Sequence, residues 1–132
     1  MTNLLQGGCA CGQVRYEVVA EPAFTLLCQC RQCQRITGSG HSAQLAVPRD
    51  KTSIHGEIRY YRLVADSGSA VDSGFCPTCG SPILKTTSEF PQFNFFHAAT
   101  LDKPEIFKPQ MLVWSKSAQP WDHVNPSIPV RE

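Results

Sequence analysis

The chain has 132 residues, 42% of them hydrophobic, and 12 basic against 11 acidic side chains leave a net charge of +1. A balance this close to neutral offers no electrostatic footprint for nucleic acid, and no apolar run approaches the ~18–20 residues that a membrane span needs. One domain over residues 1–132 is expected, and its scattered ten prolines and nine glycines favour short strands and turns over long helices.

The first residues, Met1 to Gly8, have neither the basic nor the apolar stretch of an export signal, so a reducing cytoplasm is the expected compartment. Cys9-Ala10-Cys11-Gly12 follows, a knuckle whose glycine lets backbone N–H groups turn toward the thiolates. Gln13 to Val18 alternates polar and apolar as a half-buried strand does, and Phe24 to Leu27 predicts a short strand. That strand runs into Cys28-Gln29-Cys30-Arg31-Gln32-Cys33. Arg31 to Ile36 lacks Gly and Pro and predicts one helical turn, ended by Thr37-Gly38-Ser39-Gly40. Gln44 to Val47 reads as a strand stopped by Pro48, and Ile54 to Ile58 as strand–turn–strand running on through Leu63. After a turn at Asp66 to Ser69, the strand Ala70 to Phe75 leads into Cys76-Pro77-Thr78-Cys79-Gly80. Ile83-Leu84, Phe93 to Phe96 and Met111 to Trp114 are the remaining strands. The proline-bearing tail from about Ser115 is expected to form an irregular strap over the sheet. Strands every ~8–12 residues with turns between them indicate a mainly β, antiparallel fold.

All seven cysteines fall in the three clusters. Thiolates one or two residues apart can converge on one ion, and soft sulfur donors select zinc or an iron–sulfur cluster. Two knuckle pairs make four ligands and a closed tetrahedral site. The middle cluster supplies three more and leaves one coordination position open. Two zinc ions per chain are therefore expected, one that folds the chain and one that does chemistry. A disulfide framework is disfavoured by the odd count, the strained rings such short spacings would close, and the lack of an export signal. For Cys28, Cys30 and Cys33 the alternatives are a second structural zinc closed by a distant ligand, or redox-labile thiols without metal. His41 could swing toward that cluster or sit in a solvated turn. His97 could move protons nearby or simply cap a buried strand, while His55 and His123 read as surface residues. Arg31 and Arg35 flank the open cluster and could pair with the carboxylates of a glutathione-like substrate, or be merely solvated.

Gly8-Cys9-Ala10-Cys11-Gly12 with Arg15-Tyr16, the Cys28–Cys33 cluster with Thr37-Gly38, and Phe75-Cys76-Pro77-Thr78-Cys79-Gly80-Ser81-Pro82 together resemble the glutathione-dependent formaldehyde-activating enzyme family, to which centromere protein V also belongs. Thr100-Leu101-Asp102 and Ser115-Lys116-Ser117 ahead of Trp121 extend the resemblance from about Gly7 to Pro129. It implies a β-tent fold of packed antiparallel sheets with zinc knuckles and little helix. It also implies a structural zinc on Cys9, Cys11, Cys76 and Cys79, and a catalytic zinc on Cys28, Cys30 and Cys33. The implied activity is that of a zinc-dependent carbon–sulfur lyase acting on a thiol–aldehyde adduct such as S-(hydroxymethyl)glutathione. A non-catalytic zinc scaffold for protein binding and a redox- or zinc-responsive module are the competing readings. Residue 29 is Gln where the family commonly has His, Ala99 replaces a usual Gly, Pro109-Gln110-Met111 stands where a histidine is frequent, and Ser73-Gly74 replaces a bulkier lead. These departures leave every thiol in place and bear on specificity, so weak or absent formaldehyde activity and preference for another thiol adduct are expected.

Overall fold

The computed structural model describes residues 4–132. Its strands are β1 (Leu5–Gly8), β2 (Arg15–Val18), β3 (Phe24–Cys28), β4 (Ser42–Pro48), β5 (Thr52–His55), β6 (Arg59–Val64), β7 (Ala70–Phe75), β8 (Pro82–Thr87), β9 (Phe93–His97) and β10 (Leu112–Val113), with a helix α1 (Arg31–Thr37) after β3. β1, β2 and β5 form a small sheet, and a large sheet runs in the order β10-β3-β4-β9-β8-β7-β6. This is the mainly β architecture of packed sheets expected from the sequence.

Alternation along the strands makes two cores from one sheet. On β4, Leu45 and Val47 face one side and meet Phe96, Leu84 and Ile83, together with Tyr16, Val18 and Leu5 from the small sheet. Tyr16 stacks on Phe96 with ring centroids 3.9 Å apart, an arrangement worth about 1 kcal/mol beyond the area it buries. The intervening residue, Ala46, faces the other side with Leu26, Phe95, Cys28 and Cys33. The second side of the large sheet is covered by α1 and carries the three-cysteine cluster.

Three features were not legible as sequence patterns. β5 and β6 are neighbours in sequence and belong to different sheets. The chain crosses between them at Gly56, whose φ of +96 and approach to the Gln13 carbonyl (2.1 Å from a built Cβ) admit no side chain. β1 was not anticipated, and it pairs with β2 from Leu5↔Val18 to Gly8↔Arg15. The last strand is shorter than Met111 to Trp114 and pairs with β3 in parallel, because the long connection through the turns Ala98–Thr100 and Pro104–Ile106 returns the chain in the direction of β3. Beyond it, Trp114 takes a left-handed φ of 59. A bulky residue there costs about 1–2 kcal/mol, and the turn it makes sends the strap back toward α1.

Candidate metal and thiol site

Two groups of thiols converge. Cys9, Cys11, Cys76 and Cys79 form one and Cys28, Cys30 and Cys33 the other, with the ligand atoms of each group within 4.8 Å of one another, so each group could hold a metal ion. All seven cysteines are free of disulfides. This is the division expected from the spacing.

The four-cysteine group joins the β1–β2 turn to the β7–β8 turn. Its Sγ atoms lie 3.6 Å apart for Cys9 and Cys11 and 3.8 Å apart for Cys11 and Cys76. The Val14 N–H donates to Cys9 Sγ at 3.2 Å. Ser81 ties the two turns together: its hydroxyl accepts from the Ala10 N–H at 3.1 Å and lies 3.1 Å from Cys79 Sγ. Hydrogen bonds from the Ser81 hydroxyl and backbone hold the Cys79 thiol well below the usual thiol range. Cys11 and Cys79 are exposed and Cys76 is buried.

The three-cysteine group is assembled locally. β3 delivers Cys28, and Cys30 caps α1 by accepting the Cys33 N–H at 3.3 Å. Gly38, left-handed with φ 71, ends the helix by donating to Gln34 O. Cys28 and Cys33 are buried and Cys30 is partly so. Hydrogen bonds from Cys28 and Cys30 lower the Cys33 thiol strongly against the opposing effect of burial, with help from the Lys85 charge and the Ser42 hydroxyl. Contacts with Cys30 and Cys33, together with burial, push the Cys28 thiol up.

A hydrogen-bonded frame fixes the loop that carries these thiols. Gln29 donates its N–H to the Val113 carbonyl and its side-chain amide to Asp122 Oδ2 at 3.0 Å. Gln34 donates to the carbonyls of Gln29 (2.8 Å) and Ser117 (3.0 Å) and accepts from Gln119 and Arg31. His41 Nδ1 lies 2.9 Å from Asp122 Oδ2. Burial acts to raise the Asp122 carboxyl, and the bonds to Gln29 and His41 outweigh it and hold it below the usual range. Gly40 lets Asp122 approach, since a Cβ there would lie 2.3 Å from its Cγ. The strap is thus bolted to the cysteine loop.

The sequence-named polar residues distribute unevenly. His41 serves the Asp122 contact and is not among the converging ligands, while His55 and His123 are exposed. Arg31 donates to Gln34, and Arg35 is exposed on the last turn of α1; neither hydrogen-bonds a cluster cysteine among the described residues. His97 is 7% exposed and lies on the covered face, close enough for the Cys33 charge to act on it. Burial lowers its imidazole to about 4, so it is neutral at physiological pH. Gln34, Gln44 and Asp122 escaped the sequence reading. The signal for Gln44 was a polar residue amid the apolar run Ala43 to Val47; Asp122 gave none.

No helix among the described residues is long and apolar enough to cross a membrane. A solved crystal structure of a Rhodobacter sphaeroides protein shares the fold with a TM-score of 0.61 at 21% identity, over 79% of this chain and 96% of that one. A Halomonas elongata protein named "Putative glutathione-dependent formaldehyde-activating enzyme" is 27% identical over 104 residues, which span 75% of this chain and 66% of that protein's length. The family model described as glutathione-dependent formaldehyde-activating enzyme matches residues 4–117. With its three cysteine clusters inside that match, the chain belongs to the glutathione-dependent formaldehyde-activating enzyme family.

Proposed function

We propose that the chain is a zinc-dependent carbon–sulfur lyase that makes and splits thiol–aldehyde adducts at Cys28, Cys30 and Cys33. The observation that carries this reading is the convergence of three thiols without a fourth ligand among the described residues, since a three-ligand zinc retains a position for chemistry and a four-ligand zinc does not. Zinc itself is supported by the donor set. Zn–S bonds of about 2.3 Å in a tetrahedron put sulfurs about 3.8 Å apart, and the four-cysteine group has separations of 3.6 and 3.8 Å.

A zinc ion held by the three thiolates would lower the pKa of a substrate thiol and fix its sulfur. The adduct R–S–CH(R′)–OH splits by breaking the C–S bond, with the electron pair going to sulfur, the hydroxyl proton released and the C=O bond formed. Cys28, Cys30 and Cys33 would hold that zinc at the reacting sulfur, and the apolar side chains of Leu26, Ala46 and Phe95 that pack with Cys28 and Cys33 would keep water from it. Asp122 and Gln34 hold the loop in register. Gln29 commits its amide to Asp122 and offers no proton-transferring group beside the thiols, so turnover of the formaldehyde adduct is expected to be slow. Glutathione is the thiol suggested by the family name, and Arg31 and Arg35 are the candidate carboxylate contacts at the rim.

Cobalt in place of zinc tests the site directly. Glutathione or a small thiol titrated into the protein should shift the sulfur-to-metal charge-transfer band, and purified adduct should release free thiol faster than in buffer. An unmoved band with no thiol release rejects the lyase reading.

A further inference from the structure

Two buried polar atoms beside the three-cysteine cluster have no hydrogen-bond partner among the described residues: Gln44 Oε1 and His97 Nε2. Their residues are directly opposed across β4 and β9, so both side chains leave the sheet on one face. That face carries Cys28, opposed to Ser42 two residues before Gln44. Gln44 is 0% exposed and His97 7%. The amide orientation of Gln44 follows from its neighbours. Its Nε2 lies 3.7 Å from Cys33 Sγ and also reaches Ser42 Oγ, and only the N–H end of an amide can donate to a thiolate. Oε1 is left as an acceptor without a partner among the described residues.

We propose that Gln44 and His97 form the binding site for the hydroxyl of an adduct whose sulfur sits at Cys28, Cys30 and Cys33, and so select S-(hydroxyalkyl) thiols over thioethers and thioesters. This rests on the lyase reading above. The complementarity is one of donors and acceptors. A hydroxyl donates one hydrogen and accepts others; Gln44 Oε1 accepts the first, and a neutral imidazole protonated on Nε2 donates back. Burial keeps that imidazole neutral, which allows the tautomer. A thioether offers neither function. A thioester carbonyl can accept from His97 and leaves Gln44 Oε1 unpaired, which disfavours its binding in a buried site. Phe95, two residues before His97 on the same face, and Ala46 opposite it wall the carbon end with apolar surface. Lys85, opposed to Phe95 and with Nζ 5.5 Å from its ring centroid, supplies positive charge at the edge of this row.

The test compares two near-isosteric ligands on the zinc-loaded protein, the hydroxymethyl adduct formed by glutathione with formaldehyde and S-ethylglutathione, with glutathione itself as a third arm. Calorimetry should give binding of the hydroxymethyl adduct about tenfold tighter than the S-ethyl compound, the scale of two net hydrogen bonds. His97→Leu and Gln44→Met should each bring the ratio toward one. Since either variant could fold poorly, the wild-type His97 15N imidazole resonances give a second readout. They should move with the hydroxymethyl adduct and stay put with the S-ethyl compound. Equal binding of the two ligands to wild type, a ratio that survives both variants, or His97 resonances that ignore both bound ligands (the mark of a site for an ordered water alone) overturns the hydroxyl site and leaves the lyase reading standing. If none of the three ligands binds, the lyase reading falls and the hydroxyl site falls with it.

Discussion

The four-cysteine group is the chemically complete one, yet two of its four thiols are exposed; the three-cysteine group is incomplete, and two of its three thiols are buried. Openness of coordination and openness to solvent are thus separate properties. The first group links Cys11 to Cys76, 65 positions apart in sequence, so a metal there would close a long loop between two hairpin turns, and its full thiolate complement needs no dry surroundings. The second draws its ligands from six consecutive residues and closes no long loop. Its thiols pack with Leu26, Ala46 and Phe95, and the unpartnered polar atoms of β4 and β9 leave the large sheet on the same face. Under the proposed function, the first site would hold the chain together and the second would hold a small molecule.

The largest expected effect breaks the pairing of role and site. Cys9→Ser or Cys79→Ser should unfold the domain or make it insoluble, because a structural zinc contributes on the order of 10 kcal/mol to folding, whereas Cys30→Ser should leave a folded protein. Thermal melts of the three purified variants decide this, and equal loss of fold in all three would erase the distinction.

Metal removal sharpens the comparison. Two equivalents should load per chain, and the three-thiolate site should give up its metal to a mild chelator about a hundredfold faster than the four-thiolate site, because fewer ligand bonds hold it. Metal content followed during chelation should fall in two phases. A single phase would count against an open site.

The smallest effect concerns the buried side of the three-cysteine site. The His97 imidazole titrates at about 4 in the fold against an ordinary 6.5, so between these values the unfolded chain binds more protons than the folded one. The stability that neutral His97 confers is complete above pH 6.5 and is lost as pH falls toward 4, amounting to about 2 kcal/mol by pH 5. Urea midpoints at pH 7 and pH 5, with metal content checked in the same samples, should drop further for wild type than for His97→Leu. Parallel losses would mean that His97 is not the buried base its position indicates.

The sequence by itself determined the thiols, their grouping and the mainly β class, because these are local properties: spacings of one or two residues set which sulfurs can share an ion, and alternation sets which strands are half-buried. It also located α1, since Cys30 and Gly38 supply its two ends from within the same stretch of chain. Tertiary structure decided the rest. Gln44 becomes a neighbour of Cys33 only because β4 lies beside β3, and His97 joins it only because β9 pairs with β4 in one particular register. Asp122 reaches Gln29 across 93 positions because the strap folds back over the cysteine loop and Gly40 leaves room for it. Such contacts depend on sheet order and register, which are fixed by burying both faces of the large sheet at once, and no local pattern of residues encodes that.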